Sequence, residues 1–239
     1  MGRVDALGKG YHTMSVTGNP ESRKVILESL RNRLRTMTQE LSPEVEPPIP
    51  EVWPIGTPSV DELAEQFIAS LTAVAGEAVR VPDMTAAATV VEKYLTQTGS
   101  AQCTAVQKPL ANDLFGRIAE HKRVAWRSDW TAEEMAELPM AIVESELLLA
   151  DTGSAMIVSG TPQQRMACYL PPVCVIVATV DRLRENMPAA WPEVMDRAKN
   201  PETRGEFVLV TGPSRTADIE QILILGVHGP RRVMVLLVG

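Results

Sequence analysis

Two short polar segments of the chain carry the residue types that bind small anions. Residues 151–154 read Asp-Thr-Gly-Ser and follow the apolar run 147–150. Residues 211–220 read Thr-Gly-Pro-Ser-Arg-Thr-Ala-Asp-Ile-Glu and follow the strand-like run 207–210. Backbone N–H groups of small residues, hydroxyls and a guanidinium donate hydrogen bonds to anions, and open α/β sheets bind ligands where strands end. The predicted ligand-binding residues are Gly212, Ser214, Arg215 and Thr216, with Thr152, Gly153 and Ser154 close by.

Each segment also has a purely structural interpretation. Asp151 can hydrogen-bond its own turn while Gly153 takes a positive φ, and Asp218 can serve only as a helix cap. A single Asp-Thr-Gly triplet is also half of an aspartic protease dyad, but alternating helices and strands do not fit that all-β fold. For residues 211–220, the density of polar residues after a core strand favours a site.

Four ionisable residues are candidates for acid–base or nucleophilic chemistry. Asp218 and Glu220 would repel a phosphate, but they can accept hydrogen bonds from ligand hydroxyls, hold Arg215 in place or perform acid–base work. His228 lies in a glycine-rich turn and titrates near neutrality, although a lone histidine there is more often structural. Glu144, like Glu146, interrupts an apolar stretch and is expected on one solvated face of a strand. No histidine spacing indicates zinc, and metal binding by Asp218 and Glu220 is left open.

Alternating helical and strand-like stretches must position these residues. Capping boxes at Ser59 with Glu62 and at Thr131 with Glu134 predict two helix starts, and Asp83 predicts a third. The remaining predicted helices are 110–121 and 181–198, and the predicted strands are 78–81, 101–106, 124–127, 141–149, 154–159, 173–180, 206–211 and 232–238. This alternation predicts a three-layer α/β fold, with a mostly parallel sheet and helices on both faces.

The first 58 residues differ in character from the rest. Residues 1–18 show no sustained period and are expected to be disordered. Residues 19–58 predict a basic helix, to about residue 39, followed by a proline-rich extended arm, and 59–239 a single α/β domain. We expect the apolar face of the helix to pack on the body or on a neighbouring subunit, so a homo-oligomer is left open.

Composition excludes several classes of protein. A formal charge of −7 and only 4% aromatic residues disfavour binding to nucleic acid. No run of about 18 apolar residues predicts a membrane span, and no signal sequence is evident, so a cytoplasmic protein without membrane insertion is expected. The three cysteines cannot supply the four thiolates of an ordinary iron–sulfur cluster.

Residues 150–154, 170–173, 211–220 and 225–230 look like the LUD domain of the lactate utilization protein C family. The likeness is specific over about residues 139–238, whereas the amino half resembles the family only in layout. It implies a fold similar to the NagB/RpiA/CoA-transferase superfamily. It also implies a role in oxidising L-lactate to pyruvate alongside two iron–sulfur partner proteins, which would carry the clusters, with no cofactor in this chain.

Three functions are compatible with this resemblance. The first is a non-redox subunit of a lactate-oxidising system that binds a small anionic ligand through the two polar segments. The second is a CoA- or sugar-phosphate-type transferase or isomerase using Glu220 or Glu144. The third is a scaffold whose arm, residues 41–58, docks the iron–sulfur proteins.

Overall fold

The computed structural model describes residues 20–40, 56–199, 201, 206–216, 224–225 and 229–239. The chain divides into two compact units, Met1–Val52 and Trp53–Gly239. The first unit contains helix α1 (Pro20–Glu40), in agreement with the predicted basic helix. The predicted disordered segment 1–18 and residues 41–55 of the predicted arm lie outside the described residues.

Six helices are described in the second unit, and their local sequences explain where they begin. The helices are α2 (Val60–Ala73), α3 (Met84–Thr98), α4 (Pro109–Arg117), α5 (Ala132–Glu137), α6 (Pro162–Met166) and α7 (Met187–Lys199). The predicted capping boxes at Ser59 and Thr131 are both formed, and the Asp83 side chain accepts a hydrogen bond from the backbone N–H of Ala86. Side-chain caps satisfy backbone donors that have no partner within the helix, so these starts are encoded locally.

The centre of the second unit is a five-stranded parallel sheet. Its strands are β1 (Glu77–Val81), β2 (Thr104–Ala105), β3 (Met140–Glu144), β6 (Val173–Thr179) and β11 (Arg232–Val238). Their spatial order is β1-β11-β6-β3-β2, and every neighbouring pair is parallel. Nearly all of β6 is buried, as expected for a continuous apolar run in a sheet that is covered on both faces. This sheet, flanked by helices, confirms the predicted α/β fold.

A second sheet, which the sequence pattern did not predict, contains four strands. These are β4 (Leu147–Leu149), β5 (Ser154–Ser159), β7 (Leu183–Arg184) and β8 (Glu206–Val210), in the order β7-β4-β5-β8. Strands β4 and β5 form an antiparallel hairpin around residues 151–153, and β5 also pairs antiparallel with β8. A short separate hairpin joins β9 (Arg215–Thr216) to β10 (Ile224–Leu225).

Several predicted element boundaries are wrong. The predicted strand 141–149 divides at Ser145, so that β3 belongs to the parallel sheet and β4 to the mixed one. The predicted helix 181–198 begins only at Met187, because β7 and a 3-10 turn precede it. Residues 124–127 form no strand, and one bridge from Cys103 to Arg123 is the pairing described there. Strand β2 and helix α4 are shorter than predicted.

Candidate functional site

The structure brings the two predicted polar segments into direct contact. The Ser154 Oγ lies 2.6 Å from the Thr211 Oγ1, although 57 residues separate them along the chain. Ser154 also donates a hydrogen bond of 2.8 Å to the Thr152 Oγ1, and Thr152 donates one of 3.2 Å to the Asp151 Oδ1. The antiparallel pairing of β5 with β8 explains the contact, because it sets the start of β5 beside the end of β8. We call the turn 151–154 and the loop 211–215 the paired turns.

Both turns rest against the carboxyl end of α2. Gly153 has φ +64°, and a Cβ built on it would lie 2.3 Å from the backbone nitrogen of Leu71. Gly212 has φ +81°, and a Cβ there would lie 3.1 Å from the carbonyl oxygen of Val74. Positive φ and close contact with main chain both favour glycine, so these two glycines fix where the turns can sit.

The loop 211–215 continues towards the amino ends of the parallel strands. The backbone N–H of Ser214 donates to the carbonyl oxygen of Pro230, two residues before β11 begins. A Cβ on Gly229 would lie 2.9 Å from the Cβ of Ser214, which shows how closely these segments pack. Arg215 follows on β9 and is exposed. The paired turns therefore follow the end of β8 but lie beside the amino edge of the parallel sheet, where the rule for open sheets would not place them.

Glu144 lies elsewhere, at the carboxyl edge of the parallel sheet. It is only 3% exposed, and its Oε2 accepts a hydrogen bond of 2.7 Å from the backbone N–H of Leu110 at the start of α4. Its Oε1 accepts one of 3.0 Å from Arg182. With both oxygens occupied, this carboxylate joins β3, the start of α4 and the turn after β6.

The sequence pattern predicted Glu146 on the same strand face as Glu144, and the structure contradicts this. It lies in the link between β3 and β4, and its side chain is 15% exposed and ion-paired with Lys108 at 2.8 Å and Arg197 at 3.1 Å. Burial raises the pKa of Glu146, but the Lys108 hydrogen bond and the charges of Lys108, Arg197 and Arg182 bring that pKa below its usual value. The prediction of a solvated strand face is wrong, because Glu144 and Glu146 lie at the junction between the parallel sheet and the four-stranded sheet.

The other predicted catalytic candidates, Asp218, Glu220 and His228, lie outside the described residues, as do the side-chain contacts of Thr216. Sequence reasoning did not single out Thr211 or Arg182. For Thr211 the available signal was a hydroxyl directly after the apolar strand. Arg182 had no signal, because its partner Glu144 is 38 residues away.

A separate cleft of about 480 Å³ lies at the far end of β5. Its lining includes Ser159, Thr161, Arg165 and Glu206. Arg165 and Glu206 form an ion pair with each other, so the guanidinium charge is neutralised within the lining. Among the described residues, none of the predicted site residues lines this cleft.

The three cysteines are free thiols and all are buried. Burial raises the pKa of Cys103 and of Cys168 to about 12, and that of Cys174 well above its usual value. Since the thiolate is the reactive and metal-binding form, these side chains are poor nucleophiles at neutral pH. No group of three or more potential metal ligands occurs within the described ranges. No helix among those described is long and apolar enough to cross a membrane.

Comparison with known families decides the identity of the fold. The family model described as the LUD domain matches residues 64–238, which include the parallel sheet and both paired turns. The chain belongs to the LUD domain family. The LUD domain thus starts within α2 and ends with β11.

Curated relatives of this LUD domain protein carry the name lactate utilization protein C. That of Bacillus pumilus is 29% identical over 121 residues, which are 48% of this chain and 50% of the relative. That of Bacillus subtilis is 29% identical over 118 residues, 48% of this chain and 49% of the relative. That of Oceanobacillus iheyensis is 32% identical over 95 residues, 39% of this chain and 41% of the relative. The chain therefore matches at most half the length of these relatives.

A solved structure supports the LUD domain fold. A DUF162 family protein from Deinococcus radiodurans superposes with a TM-score of 0.55 at 16% identity, over 76% of this chain and 99% of that one. At this identity the likeness shows the fold alone.

Proposed function

We propose that this LUD domain protein acts in lactate utilization as a cytoplasmic subunit without a redox centre of its own. In this proposal it binds a small anionic ligand at the paired turns and works with iron–sulfur proteins that carry the electrons. The names of the curated relatives support the pathway. The cysteine count supports the division of labour, because an ordinary cluster needs four thiolates and this sequence has three cysteines.

The observation that carries the ligand proposal is the meeting of two hydroxyl-bearing turns, the second of which runs on to an exposed arginine. The carboxyl end of α2 packs against both glycines and contributes partial negative charge there. We assign the positive charge needed for an anion to Arg215, whose guanidinium has no hydrogen-bond or ion-pair partner within the part of the chain that the structure describes. Guanidinium and carboxylate groups match in a two-pronged hydrogen-bonded geometry.

The alternative transferase or isomerase function requires a reactive carboxylate. Glu144 is buried with both oxygens hydrogen-bonded, an arrangement that favours a structural role for it. That alternative would therefore depend on Glu220, and the scaffold alternative on the arm 41–58.

Binding and growth test the proposal together. We expect Arg215→Ala to weaken binding of L-lactate to the full chain at least tenfold by calorimetry, and to abolish growth on L-lactate of the native host carrying only this variant. Arg117→Ala is the matched control, since Arg117 is also an exposed arginine and its described partners are nearby side chains of α3 and α4. Unchanged binding and growth with Arg215→Ala would refute the anion site. Retained binding with lost growth would point to a docking role instead.

A further inference from the structure

Helix α1 presents an apolar stripe to solvent. Four of its residues recur at the spacing of one helix face and are 38–63% exposed, namely Ile26, Leu27, Leu30 and Leu34. Every described side chain from 21 to 35 is exposed. A lone helix of 21 residues is marginally stable in water, because most helical stability in proteins comes from packing an apolar face. We therefore expect another surface to cover this stripe.

The three leucines of the stripe follow the spacing of a coiled-coil seam. With Leu27 and Leu34 at position a and Leu30 at position d, the positions beside the seam are e and g. Leucines at a and d insert between the side chains of a facing helix. Basic amphipathic helices that lie on membranes commonly insert aromatic residues, and α1 contains none. The stripe thus fits a helix of a protein better than a lipid surface.

The charged residues of α1 are sorted around this seam. Lys24 and Arg31 occupy e positions and Arg33 a g position, so the charged residues beside the seam over 24–33 are all basic. The acidic residues Glu21 and Glu28 fall at b, on the side away from the seam. With five basic and three acidic residues, α1 has a net charge of +2 in a chain whose net charge is −7.

We infer that α1 docks on an apolar helix of another protein whose flanking e and g positions carry acidic residues. Opposite charges at these positions set the choice of partner in helix pairs, and like charges reject a partner. A second α1 would bring the same positive charges to the seam, so charge complementarity disfavours self-pairing. The inference does not depend on the proposed ligand.

Two synthetic peptides test this docking on the full chain by fluorescence anisotropy. Both contain about four heptads with leucine at a and d, and one has glutamate and the other lysine at e and g. We expect the glutamate peptide to bind at least about tenfold more tightly than the lysine peptide at low salt. Raising the ionic strength should narrow this difference, because the flanking charges are exposed.

Substitutions on two sides of α1 separate the seam from the rest of the helix. Leu30→Asp places a charge in the middle of the seam and should weaken binding of the glutamate peptide at least about tenfold. The matched control is Val25→Asp, because Val25 is also an exposed apolar residue of α1 but occupies position f, opposite the seam. That control introduces the same charge and should keep the preference for the glutamate peptide.

A double variant covers the case in which Leu30→Asp unfolds α1. Arg31→Glu combined with Arg33→Glu keeps good helix formers at both positions and leaves the apolar stripe intact. Because it reverses two of the three flanking charges, it should reduce the preference for the glutamate peptide to within about twofold.

Three results would overturn the inference. The first is equal binding of the two peptides, or a tenfold preference that the double variant retains. The second is binding of neither peptide, as expected if another part of this chain covers the stripe. The third is a dimer in analytical ultracentrifugation that Leu30→Asp dissociates and Val25→Asp does not, which would assign the stripe to a second copy of this chain.

Discussion

Replacing Gly153 with alanine should destabilise the protein far more than the same change at other glycines. The new methyl would lie 2.3 Å from the backbone nitrogen of Leu71 and 2.6 Å from its Cα. Backbone atoms inside α2 cannot rotate away as a side-chain end can, so the turn itself must lift. Overpacking of this kind amounts to about 1–3 kcal/mol.

The backbone conformation of Gly153 adds a second unfavourable contribution. At φ +64°, an alanine is disfavoured by about 1–2 kcal/mol relative to glycine. We therefore expect Gly153→Ala to lower the free energy of unfolding by about 2–5 kcal/mol, measured by urea denaturation. It should also weaken ligand binding, because the lifted turn carries Thr152 and Ser154 away from Thr211.

Two other glycines separate these contributions. Gly99 has φ +69° but open space around its hypothetical Cβ, so Gly99→Ala should show only the conformational loss of about 1–2 kcal/mol. Gly116 lies in α4 with open space and no positive φ, so Gly116→Ala should stabilise the protein by up to about 1 kcal/mol. If Gly153→Ala lowered the free energy of unfolding no more than Gly99→Ala does, the close packing of turn 151–154 against α2 would be refuted.

Three further changes probe the rest of the molecule. Glu144→Ala leaves Arg182 and two backbone N–H groups of α4 without their partner, and should lower the free energy of unfolding by about 3–5 kcal/mol; a loss below about 1 kcal/mol in urea titration would contradict that role. The pKa of Cys103, raised by burial to about 12, exceeds the unfolded value near 9, so above pH 9 the unfolded state loses protons that the folded state keeps. The free energy of unfolding should then fall by about 1 kcal/mol per such thiol between pH 8.5 and 10. Cys103→Ala should show a shallower fall with pH than wild type. Equal pH dependence of the two proteins would contradict the raised pKa of Cys103. Glu77→Gln weakens the half-exposed pairing with Arg232 and should destabilise by only about 1 kcal/mol in thermal unfolding, and a loss above about 3 kcal/mol would contradict this estimate.

Local signals in the sequence predicted the helix starts well, because a cap is decided by residues three positions apart. Ser59 with Glu62 and Thr131 with Glu134 form the expected boxes, and Gly99 ends α3 in the left-handed conformation. The buried strand β6 was equally clear from its apolar run. These features depend on near neighbours or on simple burial, and both are visible along the chain.

Membership of a sheet could not be predicted in the same way. Residues 141–143 and 147–149 are equally apolar, and only their pairing partners in space assign β3 and β4 to different sheets. The Ser145 hydroxyl marks the division by donating to the carbonyl oxygens of Leu147 and Met156. Glu144 offered a readable signal, since a charged residue inside such a run is often buried with a partner.

The candidate site was predictable in its residues but not in its geometry. The sequence placed 151–154 and 211–216 in two turns after core strands, and the pairing of β5 with β8 joins them. The contact between the Ser154 and Thr211 hydroxyls spans 57 residues, so no spacing along the chain reveals it. Ligand binding by these residues stays a prediction.

The order of strands in the parallel sheet also governs when the protein can fold during its synthesis. Strand β1 pairs with β11, so that Glu77 lies beside Met234, 157 positions later in the chain. Strand β11 also pairs along its length with β6. A nascent chain that has left the ribosome only as far as β8 therefore holds β1 and β6 with the strand between them missing, their apolar edges open to chaperones or to aggregation. Completion of the sheet must wait until residues 232–238 have emerged from the ribosome.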